Sequence, residues 1–161
     1  GRKLAARAQA FGMEVCAYDP YVDEGYTRAA GIEACDLEKA IGDADFISLH
    51  IPLTDDTRHI LGRDEIASMK HGVYIVNTAR GGLIDEEAAH KALESGKIAG
   101  LGLDVYEAEP VSASPLLKFP NVITTPHAGA HTREAISGMG MMAVENLIAV
   151  LTGSECRFTV E

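Results

Sequence analysis

The chain has no excess of positive charge. Its 14 lysines and arginines stand against 24 acids, giving a net charge of −10 and an isoelectric point near 5.0. Nonspecific nucleic-acid binding requires a basic face, so a nucleic-acid partner is not expected. The single Arg80-Gly81-Gly82 in so acidic a chain is not an RNA-binding tract. No wholly apolar run approaches the roughly 20 residues of a membrane helix, and no signal-peptide pattern is present, so no membrane partner is expected either. Cysteine is scarce: Cys16, Cys35 and Cys156 are odd in number, widely spaced and form no Cys-x-x-Cys. That pattern predicts reduced thiols in a cytoplasmic protein. A Gly-x-Ser-x-Gly elbow is absent, which removes the usual signal for serine hydrolysis. His127 and His131 are four apart, but Gly129 between them reads as loop and no His-Glu-x-x-His occurs, so no metal site is expected.

What is present is a globular composition, 47% hydrophobic and 24% charged over 161 residues, with no internal repeat. That length suits one domain with a sizeable core. Helix-like and strand-like segments alternate: a helix over Arg2–Phe11, a strand over Glu14–Tyr18, a helix over Glu24–Ala30, a strand over Ile32–Ala34, a helix over Leu37–Ile41 and a strand over Phe46–Leu49. A helix over Arg63–Met69, a strand over Val73–Val76, a helix over Glu86–Ser95 and a strand over Ile98–Leu103 continue the series. A loop through Pro110, Pro115 and Pro120, a strand over Val122–Thr124 and a long helix over Thr132–Leu151 complete it. Such alternation predicts an α/β fold with a parallel sheet. The last helix carries Ile136, Met139, Ala143, Leu147, Val150 and Leu151 at three- and four-residue spacing, which predicts one core-facing stripe ended by Gly153.

Three segments each follow a strand: Asn77-Thr78-Ala79-Arg80-Gly81-Gly82, then Asp104-Val105-Tyr106-Glu107-Ala108-Glu109-Pro110, then Thr125-Pro126-His127-Ala128-Gly129-Ala130-His131-Thr132. In an open parallel sheet, residues just past the carboxyl ends of strands converge on one crevice where ligands bind. Arg80, Glu109 and His127 are therefore expected to be neighbours forming an active site. Arg80 offers a planar fork for a carboxylate. His127, as imidazolium, can donate a proton to a carbonyl oxygen, and Glu109 would favour that charged form.

The amino terminus departs from the usual dinucleotide-binding pattern of strand, Gly-x-Gly-x-x-Gly turn, helix and second strand. The chain opens on Gly1 and reaches Asp19 after its first strand-like segment, the separation expected if Gly1 were the last glycine of that fingerprint. The fold class expected is thus a Rossmann-type doubly wound parallel sheet lacking the first strand and most of the glycine-rich loop. In the strand order 3-2-1-4-5-6 that strand is the central one, so its neighbours lose a shared partner. Asp19 is expected to accept hydrogen bonds from ribose hydroxyls, which favours NAD over NADP.

These motifs, together with Ala17-Tyr18-Asp19-Pro20-Tyr21 and Leu49-His50-Ile51-Pro52-Leu53-Thr54, resemble the D-isomer-specific 2-hydroxyacid dehydrogenases almost end to end and in the family's order. The resemblance implies that Arg80, Glu109 and His127 are the catalytic arginine, acid and histidine. It implies cofactor contacts from Gly1, Asp19, His50, Pro52, Thr78, Ala79, Arg80, Asp104, His127 and Gly129, with His50 and Pro52 near the adenosine half and Asp104 at the nicotinamide end. NAD is the implied cofactor and a small 2-hydroxy or 2-keto acid the implied substrate, in a homodimer. D-3-phosphoglycerate dehydrogenases are the nearest branch, followed by glyoxylate or hydroxypyruvate reductases. A dinucleotide-sensing corepressor-type binding protein and an inactive folding fragment are the rivals. Residues 1–152 are expected to be the NAD-binding domain of a longer enzyme, with 153–161 leading toward a separate substrate domain.

Overall fold

The computed structural model describes residues 1–110, 114–156 and 158. It divides into two compact units, Gly1–Pro126 and His127–Glu161. In the first unit, α1 (Arg2–Ala10), β1 (Cys16–Ala17), α2 (Glu24–Ala29), β2 (Glu33–Ala34), α3 (Leu37–Gly42) and β3 (Phe46–Leu49) are followed by α4 (Arg63–Ser68) and β4 (Val73–Asn77). Then come α5 (Glu86–Glu94), β5 (Ile98–Leu103), a 3-10 helix (Pro115–Lys118) and β6 (Val122–Thr124). Among the described residues every strand pairing is parallel. The expected alternating α/β fold is therefore the one observed.

The strands form two sheets, β1-β2 and β3-β4-β5-β6, and no described strand joins them. In the larger sheet β4 lies between β3 and β5, and its β-branched sequence suits a strand. Val73, Ile75 and Asn77 point to the covered face, whereas Tyr74 and Val76 alternate to the open one. Ile41 of α3, Ile66 of α4 and Ala89, Ala92 and Leu93 of α5 join Val73, Ile75, Ile98 and Leu101 in the core. Burial of each large aliphatic side chain there contributes roughly 1.5–3 kcal/mol. The opposite face leaves Phe46, Tyr74, Val76 and Ile123 exposed. Across it the rings of Phe46 and Tyr74 stack at 5.1 Å, and Tyr74 lies over Gly100 on the next strand.

The helices start where short side chains can accept from their first amides. Asp23, Asp36 and Asp85 cap α2, α3 and α5. The carboxyl end of α4 is closed from outside the helix, by Lys97 Nζ donating to the carbonyls of Ala67 and Met69.

The second unit contains α6 (Arg133–Thr152), with Thr132 as its amino-terminal cap and Gly153 in the left-handed conformation at φ 68°. Its expected core-facing stripe is corrected here: Ile136, Met139, Leu147, Val150 and Leu151 are all exposed and α6 has no buried residue. Periodicity shows that a helix has an apolar face but not what covers it. Among the described residues, α6 is also the one helix long and apolar enough to cross a membrane, with a mean hydropathy of 1.5 over its 18-residue window. No uninterrupted apolar run marks it in the sequence, because Glu145 and small polar residues break the run without removing its hydropathy.

The thiol expectation is also corrected. Cys16 and Cys35 form a disulfide with a Cα separation of 6.5 Å, leaving Cys156 as the free cysteine. Parallel pairing of β1 with β2, with Cys35 N–H donating to the Ala17 carbonyl, brings together two cysteines 19 apart in sequence. Spacing alone could not show that register.

Candidate active site

The turn after β4 carries Arg80, and Asn77 shapes it. The Asn77 side chain is buried, its Oδ1 accepting from Ala79 N–H at 3.0 Å and its Nδ2 donating to the Arg80 carbonyl at 2.9 Å. Both polar ends of the amide are thus used to close the turn, as a buried amide requires. The Arg80 guanidinium donates to the Ala79 carbonyl at 2.7 Å and remains exposed. Beside it, the loop after β3 supplies His50, Ile51 and Pro52. Together with Thr78, Ala79 and Arg80 these residues line one open crevice at the carboxyl ends of β3 and β4.

The next loop, after β5, is fastened against the arginine turn. A Cβ at Gly81 would lie 1.7 Å from the Tyr106 carbonyl oxygen, so only glycine permits this contact. The Tyr106 N–H in turn donates to Glu109 Oε1 at 3.1 Å. The Tyr106 hydroxyl donates to the Thr125 carbonyl at 2.8 Å, tying the β5 loop to the end of β6. Burial is the largest cause holding that phenol above its ordinary pKa. Asp104 is buried at the end of β5; it accepts from Thr125 Oγ1 and its N–H donates to the Asn77 carbonyl.

Gly1 caps the amino end of α1 and faces the His50 ring, 3.9 Å from the place of a Cβ. Burial holds the His50 pKa below its ordinary value, and its Nε2 lies 2.9 Å from Ser48 Oγ. Asp19 follows β1 by two residues, is exposed, and accepts from Tyr21 N–H at 2.9 Å. Of the residues singled out from sequence, the structure therefore gathers Gly1, His50, Pro52, Thr78, Ala79 and Arg80 along the carboxyl ends of β3 and β4. Glu109 is joined to the arginine turn through Tyr106, and Asp104 to β4 through the Asn77 carbonyl. His127, at φ 52°, and Gly129 open the second unit, where His131 N–H donates to the Ala128 carbonyl. Asn77, Gly81 and Tyr106 were missed by sequence reasoning. The adjacency of Asn77 to a strand end and the paired glycines were the available signals.

A nicotinamide dinucleotide fits this arrangement at both of its ends. An exposed carboxylate stands past β1 for ribose hydroxyls, and an open crevice runs past β3 and β4 for the reactive ring. For its pyrophosphate the chain offers the amino end of α1, capped by Gly1. Among the described residues, no group of three or more His, Cys, Asp or Glu could hold a metal.

Parallel strands, helices on the covered face and a crevice past the strand ends define a Rossmann-like dinucleotide-binding domain. The family profile described as "D-isomer specific 2-hydroxyacid dehydrogenase, NAD binding domain" matches residues 1–129, and the chain belongs to that family. It is 49% identical over 154 residues to the D-3-phosphoglycerate dehydrogenase of Methanocaldococcus jannaschii, covering 95% of this chain and 29% of that protein. It is likewise 49% identical to the hydroxypyruvate reductase of Thermotoga maritima, covering 94% of this chain and 49% of the relative. The crystal structure of D-lactate dehydrogenase from Aquifex aeolicus complexed with NAD and lactic acid superposes with a TM-score of 0.87 at 33% identity. That match covers 95% of this chain and 50% of the other. The chain thus spans half or less of the length of these relatives.

Proposed function

We propose that the full chain carrying this domain is an NAD-dependent oxidoreductase interconverting a D-2-hydroxy acid and a 2-keto acid. Its nearest functional kin would be the D-3-phosphoglycerate dehydrogenases, with glyoxylate or hydroxypyruvate reduction the next choice of substrate. The observation that carries this reading is the fastening of the Arg80 turn to the Glu109 loop through Gly81 and Tyr106, beside the crevice past β3 and β4. Residues 1–152 would be the NAD-binding domain and 153–161 the lead toward a substrate domain. We infer a homodimer, supported by the exposed apolar side chains of α6. A cytoplasmic location fits such metabolism, although the Cys16–Cys35 disulfide counts against a reducing compartment.

Bound NAD would supply the hydride acceptor or donor. Asp19 would hold its adenosine ribose, His50 and Pro52 the wall of that half, Gly1 and the amino end of α1 the phosphates, and Thr78, Ala79, Asp104 and Gly129 the nicotinamide side. The Arg80 guanidinium would grip the substrate carboxylate through two parallel hydrogen bonds. His127 would give its proton to the keto oxygen during reduction and take it back during oxidation. Glu109 would keep that imidazole charged and in one orientation.

The test uses steady-state turnover of the full chain. His127→Ala should lose about 10²–10⁴-fold in kcat, the usual contribution of a proton-transfer group. Arg80→Lys should also fail, because an ammonium cannot reproduce the fork. Glu109→Gln removes the charge that favours imidazolium, so a lower pH is needed to populate it and the profile for reduction should move toward acid. Near-normal activity in His127→Ala would refute the assignment of the proton donor.

A further inference from the structure

Glu86, the first residue of α5, grips the loop that carries Glu109 from both ends. Its Oε1 accepts from Glu107 N–H at 2.9 Å, two residues before Glu109, and its Oε2 accepts from Ser114 Oγ at 2.7 Å, five residues after it. The grip is reciprocal. Glu107 Oε1 accepts from Glu86 N–H, one of the otherwise unused amides at the start of α5, at 3.1 Å. The same oxygen lies 3.1 Å from His59 Nε2. A carboxylate only accepts, so that ring nitrogen carries the proton.

His59 extends the link to the arginine turn. Its N–H donates to the Gly82 carbonyl at 2.7 Å, two residues beyond Arg80, and its backbone is held at φ 52°, a conformation unusual for a side chain of this size. Backbone of His59 therefore fastens the Arg80 turn while its imidazole fastens the Glu109 loop. The His59 and Glu107 side chains are 39% and 38% exposed, so an isolated ion pair here would contribute little. What distinguishes this cluster is that three of its bonds involve backbone groups of functional loops or of a helix start, where charge-assisted contacts set position.

We propose that Glu86, Glu107 and His59 are positioning residues for the dehydrogenase reaction: a bracket that sets the place of Glu109 relative to Arg80 without touching substrate or cofactor. The proposal rests on the catalytic reading of Glu109 and Arg80 given above. In it, the bracket acts through Glu109 and so through the charge state of the proton donor.

The experiment measures NADH-dependent reduction of the 2-keto acid formed from D-3-phosphoglycerate, of hydroxypyruvate and of glyoxylate by the full chain across pH, read on whichever is turned over fastest. Glu86→Ala, Glu86→Gln, His59→Asn and Glu109→Gln are compared with the wild type. Asparagine tolerates the left-handed backbone at position 59 but cannot reach Glu107. Glu86→Ala should lower kcat about tenfold, with KM for NADH within about twofold, because the misplaced group is the acid and not the cofactor. Its pH profile should move toward acid, in the direction of Glu109→Gln but less far. Glu86→Gln keeps an acceptor for Glu107 N–H and should recover most of the rate. His59→Asn should show a smaller shift of the same sign, and it serves as the decisive variant if Glu86→Ala does not fold. A wild-type pH profile in both Glu86→Ala and His59→Asn, with Glu109→Gln still shifted, would overturn the bracket and leave the catalytic reading standing. An unshifted, fully active Glu109→Gln would instead remove the catalytic reading and the bracket with it.

Discussion

At the scale of single residues, the site depends on groups that hold its loops in place. Asn77 illustrates this: it is the buried last residue of β4, and both ends of its amide are used to turn the chain so that Arg80 leaves the sheet. Gly81 illustrates it more sharply. Its lack of a side chain lets the arginine turn rest on the Tyr106 carbonyl, and any Cβ would collide with backbone rather than with a movable side-chain tip. Gly81→Ala should therefore cost about 1–3 kcal/mol in urea unfolding, the usual penalty for forcing extra volume into a packed site. It should also lower turnover of the full chain, because the Glu109 loop must shift to admit the methyl group. An alanine variant with unchanged unfolding midpoint and rate would mean that the two loops are not fastened here.

At the scale of elements, the helix starts and strand ends carry the argument. The Asp85 side chain accepts from Glu87 N–H and Ala88 N–H, both at 3.0 Å, and so satisfies two amides at the start of α5. Asp85→Ala should cost about 1 kcal/mol of unfolding free energy, read by denaturant titration, as cap removal generally does. It should also loosen Glu86, the next residue. Asp85→Ser would keep an acceptor and should retain most of the stability; equal losses in the two variants would show that capping is not what Asp85 contributes. The helices and longer strands were legible in the sequence because their caps and apolar spacing are local. The strand expected over Glu14–Tyr18 shrank to the two residues of β1, because strand length is decided by what pairs with it.

At the scale of the whole molecule, the division into β1-β2 and β3-β4-β5-β6 bears on cofactor affinity. The described residues offer the pyrophosphate the amino end of α1 and a single glycine in place of a glycine-rich turn. Residues 1–161 alone should therefore bind NAD weakly or not at all by titration calorimetry, and the full chain should bind it well. Micromolar affinity in the 161-residue chain would show that other groups hold the phosphates.

Local chemistry in the sequence determined the order of elements, their parallel arrangement, and the placing of Asp19, Pro52, Arg80 and Asp104 just past strand ends. Those features follow from caps, alternation and motif order, which are properties of neighbouring residues. Tertiary structure alone decided which cysteines join, because the Cys16–Cys35 bond depends on the register of β1 against β2. It alone decided that the apolar stripe of α6 stays exposed, since a helix can state its periodicity but not its partner. And it alone brought His59, Glu86 and Glu107, the first and last 48 positions apart, around the loop that carries Glu109. Contacts that distant are set by how strands pair and helices pack, and no local pattern in the chain records them.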